Sequence, residues 1–156
     1  MSLLVPALAA VFLGEIGGPL SKLSWRCPAI LLIGAVVCVA GIAGFGLAAR
    51  LTPWARLLLV GLALLAAGFT QVVARDAQPA PPWLAIWRSP APFTVLALAA
   101  YGGSAVAAPL GGLIGVAAAT LLAPIVAPHA CIVRRIAGVL LLFAGAVAAL
   151  AGLRLL

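Results

Sequence analysis

Six stretches of this chain are almost wholly apolar and free of basic residues: approximately Leu3 to Leu20, Ala29 to Ala49, Leu57 to Val73, Phe93 to Ala108, Leu110 to Val126 and Ile136 to Leu153. Each approaches the roughly 17 to 25 residues that a helix needs to cross about 30 Å of hydrocarbon. None shows the period-2 alternation of a membrane barrel strand. Backbone in lipid must satisfy its own hydrogen bonds, so helices are expected. The pattern predicts an all-α membrane protein of six transmembrane helices, of which the short fourth and fifth, joined through Ala107 to Gly112, could instead form a broken or re-entrant pair. Composition argues against a soluble domain, with 67% hydrophobic and 7% charged residues and a mean hydropathy of +1.35.

Nine basic residues against two acids give a formal charge of +7. They are scattered between the apolar stretches instead of forming a stripe, which reads as anchoring in a lipid bilayer and excludes a nucleic-acid partner. Lys22, Arg26, Arg75, Arg88, Arg134 and Arg135 fall on one side, and Arg50, Arg56 and Arg154 on the other. The positive-inside rule then puts the central linker in the cytoplasm and both termini outside. The first stretch has no positive region ahead of it and reads as a retained span, not a signal peptide. Short loops and the preference for Arg over Lys point to a prokaryotic inner membrane.

Residues 75–92 form a Pro-rich linker around Trp83 and Trp87, which a helical turn would place on one face at the headgroup level. The linker separates a segment of three spans, 1–74, from a second, 93–156. The segments resemble each other. Gly61 to Gly68 matches Gly138 to Gly145, Leu32-Ile33-Gly34 matches Leu113-Ile114-Gly115, and Gly17-Gly18 matches Gly102-Gly103. An odd number of spans per copy forces opposite orientations, the inverted-repeat design of many secondary transporters. Gly41, Gly44, Gly111, Gly115, Gly138 and Gly145 are expected to let helices approach closely.

Glu15 is the only acid inside an apolar stretch, within the helix-breaking run Phe12-Leu13-Gly14-Glu15-Ile16-Gly17-Gly18-Pro19. A carboxylate at membrane depth costs roughly 2.5 to 3.5 kcal/mol, which marks it as a functional candidate. The competing reading puts it near a helix end, reaching to the headgroups and pairing with Lys22 or Arg26. His129 with Cys131 lacks the further ligands a metal centre needs, and Cys27, Cys38 and Cys131 imply no disulfide framework and read as small packing residues. There is no nucleophile elbow, phosphate loop or dinucleotide fingerprint, and one buried acid supplies no acid and base pair, so no enzyme is expected.

The chain resembles the Gdt1/TMEM165 group of cation transporters along nearly its whole length. Phe12 to Gly17 looks like the start of that group's Glu-x-Gly-Asp-(Lys/Arg)-(Thr/Ser) motif, Ala100 to Ser104 falls at the second copy, and Val133 to Gly145 looks like its final span. The resemblance implies two inverted three-span repeats and exchange of manganese or calcium for protons. It places the ion or proton site at Glu15, Gly17, Gly18, Gly102, Gly103 and Ser104, with Glu15 as the metal ligand. Gly18, Ala100 and Gly103 stand where the group has acids, so four carboxylates are reduced to one. Calcium takes about six to eight oxygens. Ser21, Gln71, Thr94, Ser104, Thr120 or backbone carbonyls would have to supplement Glu15. A lone buried carboxyl group also suits reversible proton binding.

The sequence thus predicts a transporter moving Mn2+, Ca2+ or H+ by alternating access, with no resident cofactor. Its expected partners are the bilayer and a second copy or another membrane subunit. A transport-incompetent relative acting as a structural or accessory subunit is the alternative.

Overall fold

The computed structural model describes residues 4–16, 27–73 and 89–153, excepting the side chains of 27–31. Gly17, Gly18, Ser21, Lys22, Arg26, Arg75, Arg88, Trp83, Trp87 and Arg154 lie outside the described residues. The apolar stretches form α1 (Leu4–Glu15), α2 (Cys27–Ala48), α3 (Pro53–Val73), α4 (Ala91–Gly102), α5 (Ala107–Val126) and α6 (Ala130–Gly152). A 3-10 turn, Ala127–His129, joins the last two. No strand occurs among the described residues, so the fold is all-α.

Proline and glycine set several of the boundaries. Pro53 opens α3, and Pro92 stands in the first turn of α4, where a missing N–H costs nothing. Gly103 ends α4 in the left-handed conformation, φ 61°, with its N–H on the Ala99 carbonyl at 2.9 Å. This break corrects the fourth expected stretch: Ala107 and Ala108 belong to α5. Arg134 and Arg135, expected between spans, lie inside α6. Arginine is a good helix former, and its long stem lets the charge reach away from the helix.

Two helical runs are long and apolar enough to cross a membrane by themselves, Pro53–Val73 and Ala107–Gly152. At 12 residues each, α1 and α4 cover only about 18 Å. The distribution of side chains is small inside and large outside. Ala7, Ala63, Ala67, Ala97, Ala99, Ala108 and Ala119 are buried, whereas Val39, Ile42, Phe69, Leu121, Ile125 and Phe143 are exposed. Lipid-surrounded helices pack in this way, because association depends on close contact and gains nothing from hiding large apolar groups.

The seam between α3 and α6 is the most extensive in the fold. A Cβ on Gly68 would lie 2.7 Å from the Gly138 carbonyl oxygen, and one on Gly145 would lie 2.9 Å from that of Gly61. Gly61 therefore meets the late part of α6 and Gly68 the early part, so the helices are antiparallel. The two glycine segments matched in the sequence clasp each other. Helix α1 runs parallel to α5, with Gly111 against the Leu4 carbonyl and Gly115 against that of Leu8. Helix α2 packs on α4 through Gly44 against the Leu96 carbonyl, and on α5 through Gly41 against Pro109. Exchanging the first three helices for the last three maps α3–α6 onto itself and α1–α5 onto α4–α2.

This packing sets an expectation for the glycines. Gly68→Leu should destabilise the protein by more than about 2 kcal/mol, because backbone atoms of α6 cannot yield to the new side chain. Gly46→Leu, where a Cβ meets open space, should shift the thermal midpoint in detergent micelles little.

Candidate functional site

Helix α1 ends at Glu15, whose side chain is fully buried (0% exposed). The end of α3 and the start of α4 converge on it. The Ser89 hydroxyl donates to Glu15 Oε1. Ser89 Oγ in turn accepts the N–H of Ala91 at 3.1 Å, so one hydroxyl both binds the carboxylate and caps a backbone donor at the start of α4. Pro90 closes over the end of α1, its Cγ 3.5 Å from where a Cβ on Gly14 would sit.

Gln71, near the end of α3, is also buried, at 3% exposure. Its amide nitrogen donates to the Gly14 carbonyl, and to that of Leu13 at 3.3 Å. These carbonyls belong to the last turn of α1, where a helix has no partners of its own to offer. Gln71 is thus a cap supplied from another helix. Thr94 Oγ1 donates to the Pro90 carbonyl at 2.9 Å and holds the first turn of α4. The helix dipoles act in opposite senses here: the positive end of α4 faces the carboxylate, while the C-terminal ends of α1 and α3 add partial negative charge.

The site is deep along the helix axes as well. The contacts of Gly111 with Leu4 and of Gly115 with Leu8 and Phe12 put Glu15 level with about Ala119. From there α5 continues seven residues to Val126, about 10 Å, while α1 extends about 16 Å the other way to Leu4. The reading of Glu15 as a helix-end residue holds for its position in α1. Its carboxylate, however, is enclosed among three helices.

Of the residues expected beside Glu15, Gly102, Gly103 and Ser104 are elsewhere. They stand at the far end of α4, which runs away from the site, roughly 20 Å from Ser89. Gly103 is exposed there, and Ser104 Oγ accepts the N–H of Ala107 at 3.1 Å at the start of α5. Among the supplementary oxygens expected, Gln71 reaches the end of α1, whereas Thr120 bonds to the Ala117 carbonyl at 2.8 Å in its own helix. Ser89 was not expected. Its signal is the run Ser89-Pro90-Ala91-Pro92, a helix start with a capping hydroxyl.

Cys38 and Cys131 are exposed and do not pack inside, because each lies on an outward face of its helix. His129 is exposed in the 3-10 turn. Among the described residues no three His, Cys, Asp or Glu side chains gather as a metal-binding group. No family model, curated protein or solved structure matches the chain.

The Ser89 contact can be isolated by a double-mutant cycle. Ser89→Ala should cost about 1 to 3 kcal/mol in the native background, since it withdraws a donor from a buried carboxylate. In a Glu15→Ala background the cost should be clearly smaller. Unfolding of the four proteins in micelles measures the difference.

Proposed function

We propose that the chain is a six-span inner-membrane protein of two inverted three-helix repeats that moves a cation across the bilayer, with Glu15 contacting the ion. The observation that carries this reading is the enclosure of Glu15, the one acid in an apolar stretch, where two helices end and a third begins. Broken helices meeting at depth, with backbone carbonyls beside a carboxylate, are how many secondary transporters hold a coupling ion. Exposed Val, Ile, Leu and Phe side chains on α2, α3, α5 and α6 fit a lipid surround. The exchange symmetry of the three main seams, α3–α6, α1–α5 and α2–α4, supports the inverted repeat, and the resemblance to the Gdt1/TMEM165 group supports cation exchange, with Mn2+, Ca2+ and H+ as the ions it suggests.

Orientation rests on charge. Arg134 and Arg135 lie near the start of α6, and Arg50 and Arg56 lie at the turn between α2 and α3, the opposite end of the bundle. The larger basic set, with the central linker, is assigned to the cytoplasm. At the other end Arg56 donates from Nε to the Leu51 carbonyl at 3.0 Å and from its terminal nitrogen to that of Ala48, capping α2.

The accessory-subunit reading draws on a different observation: the described donors beside Glu15, from Gln71 and Ser89, already bond to protein acceptors. Reconstituted vesicles separate the two. Transport predicts cation-driven flux above empty vesicles, reduced at least tenfold by Glu15→Gln. Flux equal to that of empty vesicles selects the accessory role, and equal flux in both proteins removes Glu15 from the mechanism.

A further inference from the structure

We infer that Gln71 is the specificity-determining residue of the Glu15 site, closing it to divalent cations. The inference rests on the proposed cation role of Glu15 and concerns which ion that site admits.

A divalent ion beside Glu15 needs more oxygens than one carboxylate provides, and the carbonyls of Leu13 and Gly14 are the nearest in sequence. Gln71 turns its NH2 group, not its oxygen, toward both. An amide nitrogen has two hydrogens, and two carbonyls receive them. A metal ion drawn to these carbonyls would lie against those hydrogens, which carry partial positive charge. The bonding fixes the amide orientation, because the reverse placement would set oxygen against oxygen. Ser89 acts in the same sense, since its hydrogen is directed at Glu15 Oε1.

Charge balance points the same way. A divalent ion brings two positive charges, and one carboxylate leaves at least one of them uncompensated in a buried site, which is costly. Among the described residues, the elements packed around Glu15 contribute no other acid: α3 and α4 carry Arg56 and Tyr101 at their far ends, and α6 carries Cys131, Arg134 and Arg135 toward its start. The nearest of these in register is Arg134, one turn before Gly138, which packs on Gln71. A cation at this position does not recruit divalent metal.

Changing the amide to a carboxylate reverses both terms: it removes the two donors and adds a negative charge. The test is a thermal unfolding series in micelles with Mn2+ or Ca2+ from zero to millimolar. Wild type should show no divalent-dependent midpoint shift. Gln71→Glu should show a saturable rise, lost in Gln71→Glu with Glu15→Gln. Gln71→Ala, which removes the donors and adds no charge, guards against a Gln71→Glu protein that fails to fold, and should show a divalent-dependent rise smaller than that of Gln71→Glu. A Glu15-dependent rise in wild type overturns the inference, as does the absence of any gain in folded Gln71→Glu and Gln71→Ala. Vesicle flux keeps the two readings apart. Glu15-dependent divalent flux in wild type sinks the specificity role while sustaining transport, and Glu15-independent flux of every cation sinks transport itself.

Discussion

Helices that are apolar on every face can hold together only by touching closely, and the rest of this structure depends on that contact. Gly61, Gly68, Gly138 and Gly145 bring the backbones of α3 and α6 to a separation at which a single Cβ would crowd backbone atoms of the facing helix. The same device joins α1 to α5 at Gly111 and Gly115. Because the contacts are backbone to backbone, they fix register and direction, and register in turn sets the depth at which α1 stops.

Where α1 stops, the packing leaves polar groups that need partners. The carbonyls of Leu13 and Gly14 stand in the last turn of α1, and the Glu15 carboxylate is carried inside with them. Gln71 and Ser89 meet these demands from two other helices. A buried acid of this kind is tolerated when it is hydrogen-bonded. The site joins helices that are distant in sequence and couples the end of the first segment to the start of the last. The two three-helix segments accordingly interleave.

Much of this was legible in the chain. The apolar stretches foretold the helices seen among the described residues, and Gly138 and Gly145, expected to let helices approach closely, do so against α3. Glu15 stood out because acids are costly in such surroundings. Other features were not legible for physical reasons. The break at Gly103 depends on a left-handed backbone that the neighbouring Gly102 could equally have hosted. Arg134 and Arg135 looked like loop residues because charge was taken to end a span, yet helix propensity carries α6 through them. Gly102, Gly103 and Ser104 were grouped with Glu15 by repeat alignment, which says nothing about the direction in which α4 leaves the site.

The sequence by itself determined an all-α protein with one acid in an apolar stretch, because hydropathy, helix-forming runs and the position of a charge are local properties. Only the tertiary structure decided which polar groups that acid meets. Gln71 and Ser89 lie 56 and 74 residues away along the chain, and their arrival depends on how far each helix slides along its neighbour before glycine contacts stop it.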